Sequence, residues 1–136
     1  SERAAYQIQA ALLSGHPNQA LASVRELIDV AGHEEVVVAY FVAVLMRKIA
    51  QAAIMIEQGV NDAQIINQLN VWQADLKRPF INMARQLGSA RACYLLDQLA
   101  GMDARSKSGY ATASRNLQRF AVLLTASTRY TGKRNS

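Results

Sequence analysis

The feature that most limits the fold of this chain is a long segment, residues 34–58, that is apolar on most sides of a helix. Its apolar residues recur at spacings of three and four and are Val37, Tyr40, Phe41, Val44, Leu45, Ile49, Ala52, Ala53 and Ile56. A helix that is apolar all round has to be covered by neighbouring elements. The sequence therefore predicts a long central helix with other helices packed around it.

The most apolar part of this helix, residues 36–46, is too short to cross a membrane. Arg47 and Lys48 follow it directly, and a membrane span needs roughly 20 apolar residues. We therefore expect a buried helix and no membrane contact. Nothing in the sequence resembles a secretion signal, and Cys93 is the single cysteine, so we expect a cytoplasmic protein without a disulfide.

Capping and turn residues divide the chain into further helices. Pro17 suits the first turn of a helix, Asn61 with Gln64 suits the start of a short one, and Asn70 tolerates the left-handed conformation of a turn.

Two residues divide the region that follows. Pro79 predicts an irregular start for the fifth helix, whose regular part we expect at residues 78–87, and Gly88 separates it from a sixth. With 51% hydrophobic residues and no strand-like alternation, the chain is predicted to be all-α, a single-domain bundle of about six to seven helices. We expect the bundle over residues 1–127 and a loose basic tail over 128–136.

The residues that usually carry catalysis are sparse and badly spaced for it. His16 and His33 stand at helix boundaries beside Pro17 and Gly32, without a nucleophile motif nearby. Cys93 lies on an apolar helical face and is interpreted as an inert core thiol. Because a Gly-rich phosphate loop is also missing, the sequence predicts no enzyme, no cofactor and no metal site.

One segment is compatible with DNA binding. Residues 64–76 have the spacing of a helix-turn-helix, with a short helix, a tight turn and a second helix. Ile66 and Asn70, however, occupy positions where that motif favours smaller residues, and Asp75 would repel phosphates. A helix-turn-helix module of a regulator remains the alternative to a purely structural helix pair.

Positive charge is concentrated near the C-terminus. Residues 1–61 carry a net charge of −2, residues 62–90 of +1 and residues 91–136 of +6. Arg115 and Arg119 are four residues apart and share one helical face, with Arg105 and Lys107 ahead of that helix. Such a surface attracts an acidic partner or a nucleic-acid backbone, although basic side chains also occur on ordinary wet helix faces.

The order of these elements resembles the C-terminal domain of the delta subunit of the bacterial DNA polymerase III clamp loader. The resemblance covers nearly the whole chain, and the segments that carry it are Leu27-Ile28 before Gly32, Leu45 to Ile49, Glu57-Gln58-Gly59, Ile65 to Trp72, Lys77-Arg78-Pro79-Phe80, Asp97, and Asp103 with Lys107-Ser108-Gly109.

The resemblance implies a collar-like helical domain that assembles subunits and performs no catalysis itself, within a holoenzyme that is a DNA polymerase. In that family the C-terminal domains pack into a circular collar, so the implied partners are the ATPase motor subunits and delta prime. Contact with the sliding clamp is expected from an N-terminal domain outside this sequence, and no sequence-specific nucleic-acid binding is expected.

We select six residues as candidates for the partner interface. Aromatic and arginine side chains are the usual anchors of interfaces, and a turn or a basic surface presents them here. For Trp72 a second interpretation stays open, in which the indole covers one end of the bundle. The candidates are Trp72, Phe80, Arg105, Lys107, Arg115 and Arg119.

Overall fold

The computed structural model describes the backbone over residues 2–30, 35–105 and 110–135, and the side chains over residues 3–29, 36–101 and 115–127. Its described residues form six α-helices and no strand, which confirms the all-α prediction. The helices are α1 (Glu2–Leu13), α2 (Pro17–Arg25), α3 (Glu35–Glu57), α4 (Asp62–Gln68), α5 (Ala74–Arg105) and α6 (Tyr110–Asn135), and a π-helical turn, Glu26–Val30, follows α2.

Helix α3 is the central helix and packs most extensively against α5. Val42, Leu45 and Ile49 are each at most 3% exposed, and burying such a side chain contributes roughly 1.5–3 kcal/mol. Residues 36–57 are long and apolar enough to cross a membrane, with a mean hydropathy of 1.7, but 44% of the residues in that apolar window are buried inside the domain. The expectation that the apolar segment is too short for a membrane span is therefore wrong, because Arg47 and Lys48 do not lower the hydropathy of the longer helix enough to exclude one. A second prediction fails here, because Tyr40 is 61% exposed.

The connection from α4 to α5 is made of local hydrogen bonds. Asn61 caps α4, as predicted, because its side-chain oxygen accepts a hydrogen bond from the backbone N–H of Gln64 at 2.8 Å. At the other end Asn70 has a φ of 59°. Its N–H donates to the carbonyl of Asn67, and the N–H of Val71 donates to the carbonyl of Ile66. This pair of bonds is a Schellman motif, which ends a helix with one left-handed residue.

Helix α5 is regular from Ala74, so the predicted irregular start before residue 78 is wrong. Pro79 lies inside the helix, where it removes one backbone hydrogen bond. The helix nevertheless extends through it, because Leu76 and Phe80 on either side are buried, at 4% and 1% exposure. Packing of these side chains offsets the local cost of the proline.

Gly88 breaks α5 into two arms, as the sequence predicted. Its φ of 74° and ψ of 164° are not helical. The second arm starts at Ser89, whose N–H and hydroxyl both donate to the carboxylate of Glu57, at 2.8 and 2.9 Å. A residue at the end of α3 thereby caps the new helix start, and the central helix α3 and helix α5 are tied together at the break.

Helix α6 packs against α2 and α5. It buries Leu117, Phe120, Ala121 and Leu124, and the buried hydroxyl of Thr125 donates to the carbonyl of Ala121 at 2.9 Å. The helix continues to Asn135, so the residues predicted to be a loose tail have helical backbone as far as that point. Extending an existing helix is far less costly than starting one.

Candidate interface

Trp72 is the most exposed large apolar side chain among the described residues, at 74% exposure. The interpretation in which it covers the end of the bundle is therefore wrong, since a covering indole would itself be largely buried. Trp72 lies between the Schellman motif that ends α4 and the first turn of α5, where the N–H of Leu76 donates to the carbonyl of Gln73 at 3.0 Å. Hydrogen-bonded backbone on both sides presents the indole to solvent from a defined position.

Two grooves adjoin Trp72. The larger has a volume of about 730 Å³ and is open to solvent; the smaller, of about 150 Å³, lies between Trp72 and helix α1. Ile66, Val71 and Ile81 supply apolar surface to the larger groove. The lining of the smaller groove includes Ala5, Gln9, Leu13, Leu45, Lys48, Leu76 and Phe80.

Basic side chains predominate near the larger groove. Lys77 and Arg78 contribute to its lining and are exposed, and neither forms an ion pair with another described residue. The carboxylate of Asp62, also in the lining, is paired with the guanidinium of Arg85 at 2.8 Å. The groove beside Trp72 therefore combines apolar surface with two positive charges that have no ion-pair partner in the described part of the chain.

The first turn of α5 is tied to α1 by a side-chain hydrogen bond. The hydroxyl of Tyr6 donates to the carboxylate of Asp75, 69 residues away in sequence. This hydrogen bond raises the pKa of Tyr6 above its usual value, with further contributions from desolvation and from the negative charge of Asp75. Sequence reasoning missed this pair, because no local pattern links two residues so far apart.

The predicted basic surface is present on α6 in part. Arg115 and Arg119 are both exposed, one helical turn apart, and neither is in an ion pair within the described part of the chain. Arg25 lies beside them, since its Nε donates to the side-chain oxygen of Gln118 at 3.0 Å. Arg105 is the last residue of α5, but its side chain lies outside the described residues, and so does all of Lys107.

The prediction that Phe80 contacts a partner is wrong. Its ring is 1% exposed, so it belongs to the core and does not reach a partner's surface. It and Trp72 are eight residues apart and contribute to the same small groove, yet only the indole is accessible. The partner contacts of Trp72, Arg115 and Arg119 stay predictions.

Other exposed apolar side chains lie on α3. Val36 is 68% and Tyr40 is 61% exposed, and their spacing of four places them on one face of the helix. They were assigned no surface role from the sequence, because the apolar run around them predicts burial. One feature of the sequence pointed to their exposure: α3 has more apolar residues than a single buried face requires.

The residues considered for catalysis are His16, His33 and Cys93. Cys93 is exposed, so its interpretation as a core thiol is wrong. Its helical arm buries Ala92, Leu95 and Leu99 instead, a stripe that leaves Cys93 to one side. His16 is exposed at the start of α2, and His33 lies outside the described residues. In the described residues no group of three or more His, Cys, Asp or Glu side chains is arranged to hold a metal ion.

Comparison with known proteins identifies the domain. Residues 2–124 match the family described as DNA polymerase III delta subunit, C-terminal domain, whereas no curated protein and no solved structure gives a significant match. The matched range contains α1 to α5 and the buried apolar residues of α6, and it includes both helices of the possible helix-turn-helix. The chain belongs to the family of C-terminal domains of the DNA polymerase III delta subunit.

Proposed function

We propose that this domain is a non-catalytic assembly module of the clamp loader, which joins the delta subunit to the other loader subunits in a collar. Its partners are then the C-terminal domains of the ATPase motor subunits and of delta prime, in the cytoplasm. Through this contact the domain supports the loading of the sliding clamp during DNA replication.

The observation that carries this proposal is the exposure of large apolar side chains on a domain whose described residues already form a buried core. Val36, Tyr40 and Trp72 are each more than 60% exposed, although residues such as Phe120 and Leu95 are fully buried. Exposed apolar surface with basic neighbours is typical of a protein interface. Arg115 and Arg119 add two charges that are free to pair with carboxylates of a partner.

The test is capture of the motor subunits and delta prime by variants of this domain. Arg115→Glu/Arg119→Glu should weaken capture by roughly tenfold or more, because each change replaces attraction by repulsion. Arg3→Glu, an exposed charge reversal on α1, is the control and should capture normally. Exposed substitutions usually change stability by less than about 0.5 kcal/mol, and circular dichroism should show folded protein in all variants. Unchanged capture by the double variant would contradict the role of this basic surface.

A second candidate function, contact with single-stranded DNA, is favoured by the surroundings of Trp72. An exposed indole flanked by Lys77 and Arg78 combines the stacking surface and the positive charge that single-strand binders use. Such binding requires no particular base sequence. It differs in this respect from the helix-turn-helix interpretation, in which α5 would select a duplex sequence.

Fluorescence tests this second candidate directly, because Trp72 is the only tryptophan in the chain. A single-stranded oligothymidylate should quench the indole, and the apparent affinity should fall steeply with salt as counterions are released. Lys77→Glu/Arg78→Glu should abolish the quenching at moderate salt. No quenching at low salt would exclude base stacking on Trp72, whereas selective binding of one duplex sequence would favour the helix-turn-helix interpretation.

A further inference from the structure

We infer that Tyr6 and Asp75 are positioning residues for Trp72. Their hydrogen bond joins α1 to the first turn of α5, three residues beyond the indole. This inference rests on the proposed role of Trp72 as a contact residue, but it holds for either class of partner.

The backbone around Trp72 is held unequally on its two sides. On the α4 side the Schellman motif makes two backbone hydrogen bonds. On the α5 side one backbone hydrogen bond, from the N–H of Leu76 to the carbonyl of Gln73, supports the first helical turn, and the other N–H groups of a first turn lack intrahelical partners. Leu76 anchors this turn in the core, at 4% exposure. Within the described part of the chain, the hydrogen bond from Tyr6 is the one that links the first turn of α5 to a side chain of another helix.

The small groove connects this bond to the indole. Ala5, Gln9 and Leu13 of α1 contribute to its lining, and so do Trp72 and Gln73, which directly precede α5. Tyr6 is next to Ala5 in α1, and Asp75 lies two residues after Gln73 in the first turn of α5. Their hydrogen bond therefore joins α1 to α5 directly after the residues that carry the indole.

A contact residue held in one position binds better than a mobile one, because less conformational freedom is lost on binding. Breaking the bond between Tyr6 and Asp75 should therefore leave the fold intact and increase the motion of the indole. Binding through Trp72 should weaken by about two- to tenfold, the range that one ordinary hydrogen bond provides.

The experiment measures the motion of Trp72 in the full chain, with no ligand present. Tyr6→Phe and Asp75→Ala each remove the bond, and both should lower the fluorescence anisotropy of the indole and increase its quenching by acrylamide. Asp75→Asn retains an acceptor for the hydroxyl and should behave like the unmodified chain. Tyr94→Phe removes the hydroxyl of an exposed tyrosine on the second arm of α5 and is the matched control. Anisotropy and quenching unchanged in both bond-breaking variants would overturn the inference.

A second measurement separates failure of this inference from failure of the proposed function. Capture of loader subunits and quenching by oligothymidylate are compared for Trp72→Phe and Tyr6→Phe. If replacing Trp72 weakens neither, its proposed role as a contact fails, while the anisotropy result still decides the positioning role. If replacing Trp72 weakens binding and replacing Tyr6 does not, the contact stands and the positioning inference is overturned.

Discussion

Replacing Gly88 by alanine should destabilise the domain through the backbone alone. The φ of 74° and ψ of 164° at Gly88 fall in a region that is essentially restricted to glycine, and holding another residue there costs about 1–3 kcal/mol. No heavy atom of a more distant residue lies within 4 Å of a Cβ built at this position, so the cost comes from the local backbone conformation and not from a clash with the surrounding structure. For a chain of this size each kcal/mol lowers Tm by roughly 4 °C, and the expected decrease is about 4–12 °C.

The matched control is the same substitution in the regular part of the same helix. Gly101 lies in the second arm of α5 and is half-buried. Alanine there should stabilise the helix by about 0.5–1 kcal/mol, because glycine loses more conformational freedom on folding. Thermal unfolding followed by circular dichroism at 222 nm gives both values, and urea unfolding gives the free energies independently.

The two substitutions must change Tm in opposite directions if the reasoning about the break is correct. A Gly88→Ala variant as stable as the unmodified chain would refute it, because α5 would then tolerate a side chain at the break. A helix straightened by alanine would also separate Ser89 from Glu57 and lose two hydrogen bonds. Glu57→Ala should therefore destabilise the unmodified chain much more than the Gly88→Ala variant if straightening occurs.

Two further predictions test the core and the surface. Phe120→Ala should lower the free energy of unfolding by about 3–5 kcal/mol, measured by urea unfolding, since a ring with 0% exposure is replaced by a cavity. A loss below about 1 kcal/mol would show that α6 does not close the core. Cys93 should react with a thiol reagent in the folded protein, one thiol per chain, because it is exposed; reaction only after unfolding would contradict that exposure.

The sequence by itself determined the class of the fold and the local ends of its helices. Asn61 caps α4, Asn70 ends it in a left-handed turn, and Gly88 breaks α5, all as predicted. Each of these depends on a residue and its neighbours within four positions. Backbone hydrogen bonds and φ preferences act over that distance, which is why the sequence expresses them directly. The resemblance to the family also depends on such local signals, because their order resembles that of the family along nearly the whole chain.

Tertiary structure alone decided which side chains are accessible. Trp72 and Phe80 were equivalent as candidate anchors, yet one is 74% and the other 1% exposed. Tyr40 and Cys93 were assigned to buried faces but are exposed, and Tyr6 was found only through its bond to Asp75. A helical sequence specifies which residues share a face, but not which face meets a neighbour. That choice depends on packing between α1, α3, α5 and α6, whose residues are distant in sequence and interact only once the chain has folded.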